Sequence, residues 1–276
     1  MRWVLSFVFF WINWGVFSQV EDALSKPIAE IPLQELDQVS LDTRDQIYVS
    51  NPQGDIFLFN TSGKQQNYFS PARQAKLSQL EAAWSVTIFS FSEDLQEYRI
   101  LDRFLNPIAE RNFLDASVNL AKAATLGNNN IVWVWDESDL SLKRMDYLRN
   151  LILDVQPLNL ITSVKNLQIS ALKEYKNRVF ALIPDEGVLI FDNQGNLLLD
   201  LKLPQLTKLS LYKDYLLWLE NGYLMGFNLS SRTVEEIQPL KTQAGSYALV
   251  GQTVFLLIHS EKIEVYPIPE SLKELQ

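Results

Sequence analysis

The side chains able to do acid–base, nucleophilic or metal chemistry are few and scattered. The sequence has one histidine and no cysteine. That excludes a structural zinc cage, a Cys-His pair and thioether haem attachment, and leaves Ser-His catalysis a single imidazole to run through. This residue, His259, ends the apolar run 253–258 with no spaced partner, and it reads as a strand-end residue rather than a base or ligand. Trp133, Trp135 and Trp218 have faces suited to stacking a sugar or a quinone, yet each sits inside a strand pattern, where a core aromatic is the simpler reading. Asp102-Arg103 reads as a turn cap or strand-end pair sooner than as a functional ion pair. Asn60-Thr61-Ser62 and Asn228-Leu229-Ser230 match the N-glycosylation pattern, but both fall where an Asn has a local reason to cap its own backbone. No glycine-rich phosphate loop, nucleophile elbow or EF-hand loop occurs, so no catalytic residue, metal or cofactor is expected.

Acidic residues form the one suggestive set. Glu93, Asp94, Glu137, Asp139, Asp185, Glu186 and Glu261 fall on short polar loops that carry Lys262 as their only base. Gathered on one surface, they would draw cations or a basic partner; dispersed, they are the solvated loops of an acidic protein. The elements that carry the loops decide between the two.

Those elements repeat. Six pairs of alternating or wholly apolar runs stand at 46–50 with 55–59, 86–91 with 98–101, 131–135 with 140–145, 179–183 with 188–191, 215–219 with 223–227, and 253–258 with 263–266. A short polar loop joins the members of each pair, as in Asn221-Gly222 and Asp185-Glu186-Gly187, and such loops supply the positive φ of a tight hairpin. Phe59-Asn60, Phe191-Asp192 and Phe227-Asn228 then mark a second, Asx-type turn, with Leu101-Asp102 a degenerate copy. A period of about forty residues is that of propeller blades, each a four-stranded sheet. The expected fold is therefore all-β, a six-bladed β-propeller with blades at about 36–70, 76–114, 117–158, 164–204, 205–240 and 244–269. The sixth repeat lacks a fourth strand. The extended, proline-bearing segment 28–33 is expected to supply it as the outermost strand, where a missing N–H faces solvent. Two packed sandwiches, or a half-propeller that dimerises, are the alternatives. In the ring, the loops between second and third strands share one end of the channel, which would gather the seven acids on one rim.

The segments Gly54-Asp-Ile-Phe-Leu-Phe-Asn-Thr-Ser-Gly63 and Gly187-Val-Leu-Ile-Phe-Asp-Asn-Gln-Gly195 resemble the repeat core of the broad superfamily of NHL, quinoprotein-like and TolB-like propellers. Asp45-Gln-Ile-Tyr-Val and Leu101-Asp-Arg-Phe-Leu resemble uncharacterised exported propeller proteins of Gram-negative bacteria. The resemblance covers nearly the whole chain after the leader and implies a fold and export. It implies no activity, because such folds host binding modules and enzymes alike. A quinoprotein-like propeller would repeat a tryptophan docking motif from blade to blade, and this chain does not.

Met1-Arg2, the apolar run 3–17 and Ser18-Gln19 have the layout of a signal peptide, with the cut expected between Ser18 and Gln19 and a single domain over 19–276. An uncleaved anchor is the alternative, although the run is shorter than the ~20 residues of a spanning helix. The net charge is −9, with 24 Lys and Arg against 33 Asp and Glu. Loss of Arg2 makes the exported chain still more acidic. That balance disfavours nucleic acid and anionic membrane surfaces. The expected role is a non-catalytic interaction module, periplasmic or outer-membrane associated, whose partner is another envelope protein held at the acidic rim. The alternatives are a lactonase-like propeller hydrolase or lyase, and a carbohydrate-binding protein. Only Asp37, Asn119 and Asn166 stand near innermost strands as support for a channel metal.

Overall fold

The computed structural model describes residues 24–275 apart from 25, 34, 85 and 241–246. The apolar leader and its expected cut lie outside the described residues. The chain forms six antiparallel four-stranded sheets arranged in a ring. It is a six-bladed β-propeller.

From the axis outward, blade 1 is Val39–Leu41, Ile47–Ser50, Ile56–Phe59 and Gln65–Phe69. Blade 2 is Gln79–Trp84, Thr87–Ser92, Glu97–Asp102 and Pro107–Asn112. Blade 3 is Ala121–Leu126, Ile131–Asp136, Ser141–Asp146 and Leu151–Pro157. Blade 4 is Ala171–Tyr175, Arg178–Ile183, Gly187–Asp192 and Leu197–Lys202. Blade 5 is Ser210–Tyr212, Tyr215–Glu220, Tyr223–Asn228 and Val234–Pro239. Blade 6 is Tyr247–Val250, Val254–Ile258 and Lys262–Pro267, closed on its outer edge by Ala29–Pro32 from the start of the chain. That closing strand pairs antiparallel with Lys262–Pro267, Ile31 opposite Ile263, and Ile31 is buried at 2% exposure. The six expected strand pairs are the second and third strands of the blades.

Burial explains why those strands are apolar on both faces. Successive side chains of a strand point to opposite faces, and each blade face meets a neighbouring blade. Val132 and Val134 pack with Phe89, Phe91 and Tyr98 of blade 2. The alternating Trp133 and Trp135 pack with Val179, Ala181 and Phe191 of blade 4. The ring closes on the same principle, with Ile47, Val49 and Phe59 of blade 1 against Leu256, Ile258 and Val265 of blade 6. Outermost strands face water instead, and Leu151–Pro157 alternates exposed with half-buried side chains.

Turns fix the register. Asn60, Asp102, Asp146, Asp192 and Asn228 each accept backbone N–H bonds from residues two to four further on. The Asx turn therefore recurs in five blades, and Asp102 with Arg103 is a turn cap on the outer loop. Gly187 has φ +138°, and a Cβ there would lie 2.1 Å from the Leu201 carbonyl oxygen, so no other residue fits. At the opposite end of the ring, Asp45 accepts from Gln252 N (2.7 Å), Thr253 N (2.9 Å) and Thr253 Oγ1 (2.6 Å), tying blade 1 to blade 6 a second time.

Candidate functional site

Two features share one end of the ring: the rim of loops joining second to third strands, and the mouth of the central channel, where each innermost strand begins. The rim residues lie on the loops foreseen for them, but their charge is partly neutralised. Lys122, on the innermost strand of blade 3, bridges Glu93 of blade 2 at 2.5 Å and Glu137 of blade 3 at 3.9 Å. The hydrogen bond from Lys122 to Glu93 raises the lysine's pKa. Asp139 meets Lys143 at 2.8 Å, and Glu186 meets Lys202 at 3.5 Å. Asp94, Asp185 and Glu261 are exposed, and no ion pair holds them among the described residues. The structure thus brings Glu93 and Glu137 together and keeps the others on separate loops. The neutralising lysines sit on strands, where a count of loop charges does not find them.

Beneath the rim of blade 3 lies Asp136, fully buried. Burial alone would raise its pKa. Lys143 Nζ at 2.6 Å, Ser138, and the backbone N–H of Asn119 outweigh that and hold it at about 2. Asn119 lies in a loop with its backbone N–H on Asp136, and Asn166 borders a separate surface hollow with Glu137 and Leu140. Of the three polar residues expected near innermost strands, Asp37 alone stands by the channel. Its side chain is 7% exposed, it meets Lys76 at 3.4 Å, and burial raises its pKa against the pull of Lys76 and Lys208.

The channel encloses a cavity of about 940 Å³ lined by the innermost strands of blades 1, 2, 4, 5 and 6. Glu81, Lys173 and Lys208 face it. Glu81 accepts from Thr125 Oγ1 at 2.8 and 2.9 Å, from Gln79 Nε2 at 2.5 Å and from Leu126 N at 3.3 Å. Burial nevertheless pushes its pKa to about 7, because Lys173 and these donors offset only part of the lost hydration. Lys173 is ringed by protein although it keeps some contact with the channel, and burial lowers its pKa. Thr125 also accepts from Glu174 N at 3.0 Å, and the Glu174 carboxylate receives Trp133 Nε1 at 2.8 Å. One polar network thus crosses blades 2, 3 and 4. Trp133 and Trp135 are core residues, and Trp218, also buried, donates to Glu220 at 2.9 Å. His259 lies just beyond the second strand of blade 6 and meets Glu264 at 3.1 Å.

None of Glu81, Lys173 and Lys208 was singled out from the sequence. For Glu81 and Lys173 the signal was a charge inside a short innermost strand, as in Gln79-Leu-Glu and Ala171-Leu-Lys, easily taken for ordinary alternation; Lys208 stands just before the innermost strand of blade 5. Among the described residues no group of three or more His, Cys, Asp or Glu side chains is placed to hold a metal ion.

No protein-family model matches the chain. None of the curated proteins matches it either. Solved structures do. The chain is similar to the Neurospora crassa Pan2 WD40 domain, with a TM-score of 0.61 at 11% identity over 90% of this chain and 98% of that one. It is similar to streptogramin B lyase, with a TM-score of 0.59 at 12% identity over 87% of this chain and 85% of that one. BamB from Moraxella catarrhalis gives a TM-score of 0.44 at 11% identity over 88% of this chain and 82% of that one. At such identities the first two likenesses are ones of fold. They place the chain among the broad group of propellers, an architecture that serves binding and catalysis alike.

Proposed function

We propose that this chain is an exported, non-catalytic interaction propeller of the bacterial envelope, holding a protein partner against the rim where the second-to-third-strand loops gather. The observation that carries the reading is the state of Asp94, Asp185 and Glu261. They stand exposed on loops of three different blades, turned to the same end of the ring and free of ion pairs among the described residues. Single exposed carboxylates contribute little at physiological salt, where the Debye length is about 8 Å. Several on one face steer a basic surface toward it and fix its register. The seven-acid rim is accordingly narrowed to these three as the partner-facing charges. Glu93, Glu137, Asp139 and Glu186 shape the same face through their lysines.

The signal-peptide layout of residues 1–19 supports the envelope setting. No helix among the described residues is long and apolar enough to cross a membrane, and the chain has no cysteine and so no disulfide. The test is capture of envelope proteins by the tagged chain and by a triple variant Asp94→Asn, Asp185→Asn, Glu261→Gln. These substitutions remove charge while keeping shape, Asn being at ease at Asp185, where φ is +61°. The expected result is a stoichiometric partner on the wild type, weakened about tenfold or more on the variant at equal thermal stability. Equal capture by both moves the interface to another face.

A further inference from the structure

The rim reading leaves the channel unused, and the channel is where the chemistry of this molecule departs from its average. The chain as a whole is acidic, at −9. Lys76, Lys173 and Lys208 nevertheless line the cavity beside Glu81. Of the carboxylates on or beside the cavity wall, Asp42, Glu81, Glu93 and Asp37 are engaged, and Asp94 is exposed. Glu81 is held by three donors, and Asp37 by Lys76 and by Gln38 Nε2 at 3.5 Å.

The two inner lysines keep donors in hand. An ammonium carries three N–H groups. Lys173 Nζ reaches one carbonyl, that of Leu209, at the long distance of 3.5 Å. Lys208 Nζ donates to Gln38 Oε1 at 2.9 Å and lies 5.6 Å from the centre of the Tyr247 ring. Lys173 thus reaches the backbone of the residue after Lys208, while the Lys208 side chain turns to Gln38 and Tyr247, and both lysines line the same cavity. Burial lowers the pKa of both even with Glu81 near Lys173 and Asp37 near Lys208, so each ammonium costs free energy as it stands, a cost that a further anion would offset. Apolar surface completes the wall, with Leu209, Leu211, Leu249 and Tyr247 around the same cavity.

We propose that the channel binds a small organic oxyanion, its carboxylate or phosphate head met by Lys208 beside Tyr247, its body laid against the leucine wall, and Lys173 lending a second positive charge to the same cavity. The cavity volume of about 940 Å³ falls in the range of small-molecule sites. A neutral ligand would fill the space and leave two ammoniums desolvated, and a cation would be repelled by them. The overall negative charge opposes an approaching anion only weakly, because salt screens exposed charges beyond about 8 Å while buried lysines at contact are screened much less.

The rim acids Glu93 and Asp94 border this cavity, but the proposal does not rest on the rim reading, and its test is separate. The full chain is titrated calorimetrically with trigalacturonate as the carboxylate, glucose 6-phosphate as the phosphate, inorganic phosphate, and maltotriose as the neutral control. The expected result is a Kd below about 1 mM for at least one of the two organic anions, and none measurable for maltotriose. The pattern across the two anions tells carboxylate from phosphate recognition. Lys173→Met and Lys208→Gln should each weaken binding about tenfold, with Lys64→Gln, on the outside of blade 1, unchanged. Lys173→Met removes a buried charge and Lys208→Gln keeps a polar wall, so a fold defect in one leaves the other informative. Binding of maltotriose as tight as that of the anions, no anion bound below about 1 mM, inorganic phosphate alone bound, or both lysine variants binding like wild type would each overturn the proposal. None of these results bears on the rim variant, which is read by protein capture.

Discussion

At the scale of single residues, Glu81 is the side chain whose protonation matters most near neutrality. Its pKa stands at about 7 in the fold against an ordinary 4.5, with burial the main cause. A carboxyl whose pKa rises on folding contributes stability that is complete below about 4.5 and is lost as the pH climbs through about 7. The shift corresponds to about 3 kcal/mol, as an order of magnitude. Glu81→Gln keeps the shape and the partners Thr125 and Gln79 while removing the titration. Urea midpoints at about pH 5 and about pH 8 should therefore fall with pH in the wild type and stay nearly level in the variant. Equal slopes in both would mean that Lys173 holds Glu81 ionised across the range. Asp136 works in the opposite sense, its stability contribution being lost only as the pH falls from about 4 toward about 2.

At the scale of elements, the outer strand of blade 6 joins the two ends of the chain. Ala29–Pro32 buries Ile31 against Ile263 and Val265 and pairs along Lys262–Pro267. Burying one isoleucine is worth about 2 kcal/mol, and each backbone bond about 1 kcal/mol more. Deletion of residues 19–34 should lower the thermal midpoint by several degrees and favour pairing of the bared edge with other chains. An unchanged midpoint would mean that Asp45 and the blade 1 to blade 6 core close the ring unaided. This closure was legible because the sixth repeat visibly lacked a strand. The turns were legible only in part. Gly187 and Asn221 announce a positive φ, but Gln96 and Leu140 adopt φ of 54° on the same loops of blades 2 and 3 with no such signal. There the blade on either side dictates the turn, and the side chain bears the strain.

At the scale of the whole molecule, export and ring are separate matters. The mature chain is expected to begin at Gln19, and mass analysis of the N-terminus of the secreted protein checks it. An intact Met1 on membrane-bound protein would mean the anchor reading was right. The sequence by itself determined the six strand pairs, the Asx turns at Asn60, Asp192 and Asn228, the acidic loops and the closing strand. All of these follow from local periodicity and from turn chemistry that acts over a few residues. Tertiary structure alone decided that Lys122, Lys143 and Lys202 neutralise part of the rim, and that Glu81, Lys173 and Lys208 share one channel. Lys143 meets Asp139 within one hairpin and Lys202 meets Glu186 within one blade, but Lys122 with Glu93 and the channel residues join different blades, and the ring sets which of them meet. The free energy of a charge depends on what has been brought beside it and on how much water has been taken away. A one-dimensional pattern records neither.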